Sequence, residues 1–117
     1  MTQEEQQLLL KDLCARLPYG VKINVNGEED TLLELGVDTG WVNASYDIED
    51  IKPYLRPISS MTEDEKEEYD KLFTIHSQGE TYCENWEWID FMNSHHFDYR
   101  GLIEKGLALE APEGMYN

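Results

Sequence analysis

Apolar positions recur along the chain with two different periods, and the changes between them divide it into elements. Leu10, Leu13, Cys14 and Leu17 follow helical spacing, and Thr2 stands three residues before Glu5, the spacing of a capping box. This predicts a helix over residues 3–16 that stops before Pro18, with Cys14 on its apolar side as a small core residue. The period then drops to two: Tyr19, Val21, Ile23 and Val25 alternate with Gly20, Lys22 and Asn24, which predicts a strand with one buried face. Asn26-Gly27 is a strong two-residue hairpin signal, so a second strand should return over Thr31–Leu35 and a third, short one should follow near Trp41–Ala44.

The middle of the chain is less regular. Asp47 is placed to cap a single helical turn before Pro53, and residues 54–58, held between Pro53 and Pro57, should run extended at a sheet edge or in a loop. Helical periodicity then returns strongly. Thr62 and Glu65 form a second capping box, Gly79 follows as a stop, and Met61, Tyr69, Leu72, Phe73 and His76 share one side. Glu63, Glu67 and Asp70 make an acidic ridge on the opposite side. Asn85 caps a further helix whose inner face carries Trp88, Ile89, Met92 and His96. Asp98 caps a short helix ending at Lys105 and Gly106, and residues 107–111 make a closing strand. The expected fold is α+β: a small antiparallel sheet of about three to four strands covered by about three to four helices, one domain over residues 1–117.

Charge changes the picture more than composition does. The chain holds 25 Asp and Glu against 9 Lys and Arg, a net charge of −16, and no basic residue lies between Lys22 and Lys52 or between Lys71 and Arg100. Such a field repels nucleic acid and anionic membranes, so direct binding to either is not expected. At 40% hydrophobic and 11% aromatic the chain still has the material for one core. Residues 1–17 lack the basic and sustained apolar regions of a signal peptide, and the expected compartment is the cytoplasm. Cys14 and Cys83 form neither a CxxC pair nor a zinc-ligand spacing.

Candidate chemistry is sparse. His95, His96 and Asp98 are the densest cluster of metal-ligand types, and with His76 they would serve a small metal-dependent hydrolase. Adjacent helical residues point about 100° apart, however, and the i, i+4 histidine spacing of helical metal motifs is absent, so helix-end and capping roles are the better expectation. A zinc site joining His76, Cys83 and His95 has no spacing to support it. Residues 37–40, Val-Asp-Thr-Gly, resemble the catalytic loop of dimeric aspartic proteases, but Trp41 replaces the small residue that follows there, and no later partner element occurs. An ordinary turn explains them. No phosphate loop, dinucleotide fingerprint or nucleophile elbow is present, and no cofactor is expected.

Three stretches, ARLPYG (15–20), IEDIKPYLRPISSMTEDE (48–65) and HFDYRGLIEKGLALEAPEG (96–114), together resemble small acidic hypothetical proteins of gut bacterial genomes and their prophages or other mobile elements. The resemblance implies no reaction, cofactor or catalytic residue, only a mobile-element accessory role. With the charge, it leads to a non-enzymatic acidic module that docks on the basic surface of a partner, one that itself binds nucleic acid. The residues expected to carry docking are Glu63, Glu67 and Asp70, with Trp86 as an exposed aromatic anchor. The rival readings are the hydrolase and a structural or assembly protein of a phage-like particle.

Overall fold

The computed structural model describes residues 1–36, 41–43, 45–76 and 86–116, with the side chains of all of these except residues 73–76 and 86. The order is α1 (Gln3–Arg16), β1 (Lys22–Val25), β2 (Glu28–Thr31), β3 (Leu35–Gly36), β4 (Trp41–Val42), β5 (Tyr46–Asp47), β6 (Ile51–Leu55), α2 (Glu63–His76), α3 (Trp86–Ser94) and β7 (Leu109–Glu110). Single 3-10 turns precede β1, β6 and α2. The architecture is broadly α+β, with three described helices and a less complete helical cover than the sequence suggests.

Helix α1 begins as its capping box requires: the Glu5 amide donates to the Thr2 hydroxyl and the Thr2 amide donates to the Glu5 carboxylate. Its buried stripe is Leu9, Asp12, Leu13 and Arg16. These residues stand at i, i+3, i+4 and i+7, so the stripe runs one position away from Cys14, which is exposed rather than a core residue. Two positions polar by type carry the buried face, and apolar counting alone puts the helix in the wrong rotation.

Four strands form a sheet in the order β2-β1-β6-β7, and β3-β4-β5 form a separate antiparallel ribbon. Asn26 and Gly27 both have positive φ, 52° and 94°, as a two-residue hairpin turn of the primed kind demands. The tight turn starts β2 at Glu28, earlier than the Thr31–Leu35 expected, and leaves Glu28, Glu29 and Asp30 on an outer strand whose charges oppose edge-to-edge pairing. Strand β6 corrects a second expectation. It runs through Pro53 and lies inside the sheet rather than at an edge. Pro53 stands opposite Ile23 on β1, while β7 pairs in parallel only from Tyr54 onward. The proline therefore occupies a part of the strand with a neighbour on one side only, where its missing N–H is tolerated.

The main core packs Leu9 and Leu13 of α1 against Val21, Ile23, Ile51 and Leu55 of the sheet, closed by Leu102 and Leu107. A second cluster, Phe91, Met92 and Phe97 with Met61, Tyr69, Leu72, Trp88 and Tyr99 around it, joins α2 to α3. The expected helix over residues 98–105 is instead a wide turn. Asp98 does cap, its carboxylate accepting from the amides of Leu102 (2.8 Å) and Ile103 (3.0 Å), but Gly101 at φ 71° lies in the left-handed region and stops helix propagation.

Candidate functional site

The histidine doublet ends α3. The amide of His96 donates to the carbonyl of Asn93 and the amide of Phe97 to that of Met92, and His96 itself has φ 62°. That is a Schellman ending in which His96 takes the left-handed position usually filled by glycine, with the Phe97–Met92 apolar contact that accompanies it. His96 is buried and its ring stacks on Tyr116 at 3.9 Å. Burial, helped by the positive charges of Arg16, His95 and Arg56, lowers its pKa to about 4, so the ring is neutral near pH 7. His95 turns the other way and places Nδ1 2.9 Å from the Glu65 carboxylate. Asp98 spends both oxygens on its turn. The three cluster residues thus have three separate environments, and no group of three or more metal-ligating side chains converges among the described residues. The side chain of His76, all of Cys83 and residues 37–40 lie outside the described residues.

The chain has three arginines; Arg16 and Arg56 bond the carbonyls of this helix ending, and Arg100 lies beside it on Tyr99. Arg16, fully buried, reaches the Asp12 carboxylate with Nε (2.8 Å) and Nη2 (3.2 Å), and Nη2 also donates to the Phe97 carbonyl at 2.6 Å. Arg56 grips both oxygens of Glu65 at 2.7 Å, and its backbone amide donates to the His96 carbonyl. Arg100 approaches Asp12 at 3.5 Å. Arg56 lies over the Phe97 ring at 4.4 Å, and Arg16 and Arg100 lie over Tyr99 at 5.2 and 4.8 Å. The arginine fork lowers the Glu65 pKa to about 2, against the smaller opposing effect of burial, so Glu65 stays charged. The arginines form a polar seam between the two apolar clusters.

The outer face of α2 is different. Glu63, Asp64, Glu67, Glu68 and Asp70 are all exposed, while Glu65, the capping residue, is turned inward. The expected ridge of Glu63, Glu67 and Asp70 therefore exists as an exposed row. Trp86 opens α3, but its side chain lies outside the described residues. Beside the row, an open groove of about 400 Å³ runs between α2 and α3. Leu72 and Phe91 supply its apolar wall, and Glu68, Glu87 and Asp90 its lip. The Tyr19 hydroxyl lies 3.3 Å from Asp90; what burial it has, and that carboxylate, raise its pKa. Glu68, Glu87, Asp90 and Phe91 were not singled out from sequence. Glu87, Asp90 and Phe91 do carry an i, i+3, i+4 signal, but only the packing of α2 on α3 turns it into a groove. No described helix is long and apolar enough to cross a membrane. Comparisons with protein-family models, with curated proteins and with solved structures give no match.

Proposed function

We propose that this chain is a non-enzymatic acidic module that docks on a basic surface of another protein, one whose own basic surface serves nucleic-acid binding, in the manner of a mobile-element accessory protein. The observation that carries the reading is the segregation of charge. The arginines are used internally, one fully buried and two with side chains 18% exposed, whereas α2 presents five exposed carboxylates and α3 adds Glu87 and Asp90. Against exposed Lys66 and Lys71 on α2, carboxylates predominate, and the field that remains outside is mainly negative, which steers a positively charged partner and rejects polyanions. The hydrolase reading has no comparable support, because His96 is stacked inside and Asp98 is committed to backbone amides.

The test is affinity capture from a native host lysate in two salt concentrations. Exposed charge pairs are screened beyond about 8 Å at physiological ionic strength, so a true partner should be basic and released as salt rises. Reversal of Glu63, Glu67 and Asp70 to lysine should slow its association, since exposed rim charges act mainly on the on-rate. A partner whose capture ignores both salt and the reversal refutes the proposal. A gel shift showing submicromolar binding of the chain itself to DNA or RNA at physiological salt would refute it as well.

A further inference from the structure

We infer that the α2–α3 groove is a segment-binding site: it takes a short extended stretch of a partner in which one apolar side chain is flanked by lysine or arginine. This rests on the docking reading above and deepens it, from a charged face to a shaped site with a defined occupant.

The dimensions select the occupant. From Glu87 to His95 the groove follows α3 for about 12 Å, at roughly 1.5 Å per helical residue. An extended chain advances about 3.3 Å per residue, so the groove accommodates about four residues. Its volume of about 400 Å³ suits one inserted side chain and its flanking backbone. The open form argues against a small molecule, which binding sites usually enclose on most sides. Leu72 is half-buried, so an apolar side chain laid against it covers surface that α2 leaves exposed, over a floor made by the buried Phe91.

Charge selects the flanks. Three carboxylates, Glu68 on α2 and Glu87 and Asp90 on α3, lie along the lip, and neither lysine nor arginine is among the described lining residues. The one lining side chain able to become cationic is His95, and its Nδ1 is held by Glu65. Glu68 and Leu72 also border a second open hollow along α2, lined further by Asp64, Glu67 and Lys71. Basic residues flanking the anchor therefore meet the lip carboxylates Glu68, Glu87 and Asp90, whereas an acidic or phosphorylated segment would be repelled by them. A second copy of this chain carries the same acid field and is a poor occupant for the same reason.

The test uses labelled ten-residue synthetic peptides and fluorescence polarisation on the full chain. A lysine- and arginine-rich peptide with one central leucine should bind at least tenfold more tightly than the same peptide with serine, and a glutamate-flanked version should not bind. Amide chemical-shift changes should map to residues 68–72 and 87–95. Glu87→Lys with Asp90→Lys, both exposed positions, should weaken binding at least tenfold while the unfolding midpoint stays unchanged. Equal affinity for the leucine and serine peptides overturns the inference, as does indifference to the Glu87 and Asp90 reversals. If binding then still falls with salt and with reversal of Glu63, Glu67 and Asp70, acidic docking survives without the groove. If the leucine peptide binds in the groove but no basic partner is captured from lysate, the groove stands and the wider docking reading fails. Shifts of the groove amides on simple dilution would identify a second copy as the occupant and overturn the inference.

Discussion

Replacing Arg16 by methionine tests the seam that holds the two apolar clusters together. Methionine keeps much of the volume of the arginine stem and removes the guanidinium. Three contacts go with it: the fork to Asp12, the 2.6 Å bond to the Phe97 carbonyl and the packing over Tyr99. Asp12 is left fully buried with only Arg100, at 3.5 Å, as a charged neighbour. Removing one partner of a buried ion pair costs about 3–5 kcal/mol, because the survivor is desolvated without compensation. Arg100 moderates this, so the expected loss is about 3 kcal/mol. Against a total stability of roughly 5–15 kcal/mol, the variant should fold but melt about 10 °C lower. Urea titration should show a lower midpoint with an unchanged slope. The control is the double variant Asp12→Leu with Arg16→Met. It removes both charges together and should cost less than Arg16→Met alone, since buried pairs replaced by apolar residues are often neutral. An Arg16→Met loss under about 1 kcal/mol, where a buried charge left unpaired should cost several times that, would refute the reasoning. So would a double variant worse than the single.

Three further outcomes follow from the same contacts. Because His96 is neutral when buried and its pKa is lowered to about 4 from 6.5, the unfolded chain takes up the proton first; wild type should lose stability relative to His96→Asn, a residue that tolerates the left-handed backbone, between pH 6.5 and 4, and not outside that window. Glu65 has the opposite sense of linkage: its pKa is lowered to about 2 from 4.5, so its stabilising effect is complete above pH 4.5, and the deficit of Glu65→Gln in thermal melts should shrink as pH falls from 4.5 towards 2. Reversing Glu63, Glu67 and Asp70 to lysine should leave the melting temperature unchanged or raise it slightly, because easing the self-repulsion of a net charge of −16 outweighs the few tenths of a kcal/mol lost with the Glu63–Lys66 and Glu67–Lys71 pairs; a fall of several degrees would show that the row is structural.

Features set by neighbours in sequence were readable, and those set by distant packing were not. Both capping boxes and the Asp47 cap depend on side chains reaching amides two or three residues away, the Asn26-Gly27 hairpin on two adjacent residues that accept positive φ, and each occurs as the spacing predicts. Pro53 misled because a proline rule speaks of the whole strand, whereas the relevant fact is where the two-residue β7 begins. Cys14 misled because a hydrophobic wheel counts Asp12 and Arg16 as outward, although paired they are as buried as leucine. Their i, i+4 spacing beside Leu9 and Leu13 was a visible signal for an internal pair. The His95-His96 doublet is a helix end, as its position suggests, but its surroundings, Tyr116 on the His96 ring and Arg16 and Arg56 on the carbonyls of Phe97 and His96, come from distant parts of the chain.

The use of arginine and lysine follows from these surroundings. At the seam a cation must satisfy a carboxylate, a backbone carbonyl and an aromatic face at once. The planar fork of arginine does this with little further ordering, while the compact, strongly hydrated ammonium of lysine does not. Arg16 meets all three demands, and Arg56 pairs Glu65 while lying over Phe97. Placing arginines there removes them from the outer field and leaves six lysines to offset the exposed carboxylates. A net charge of −16 opposes compaction by self-repulsion, so an arrangement that deepens the surface imbalance is costly unless the interior compensates. The buried fork, two carboxylates held by arginine and the carbonyls of the α3 ending held by Arg16 and Arg56 supply that compensation where salt does not reach. Raising ionic strength should therefore stabilise the protein by screening the outer repulsion, with little loss from the seam. The acid face can be dense because the charge pairs that hold the fold are elsewhere.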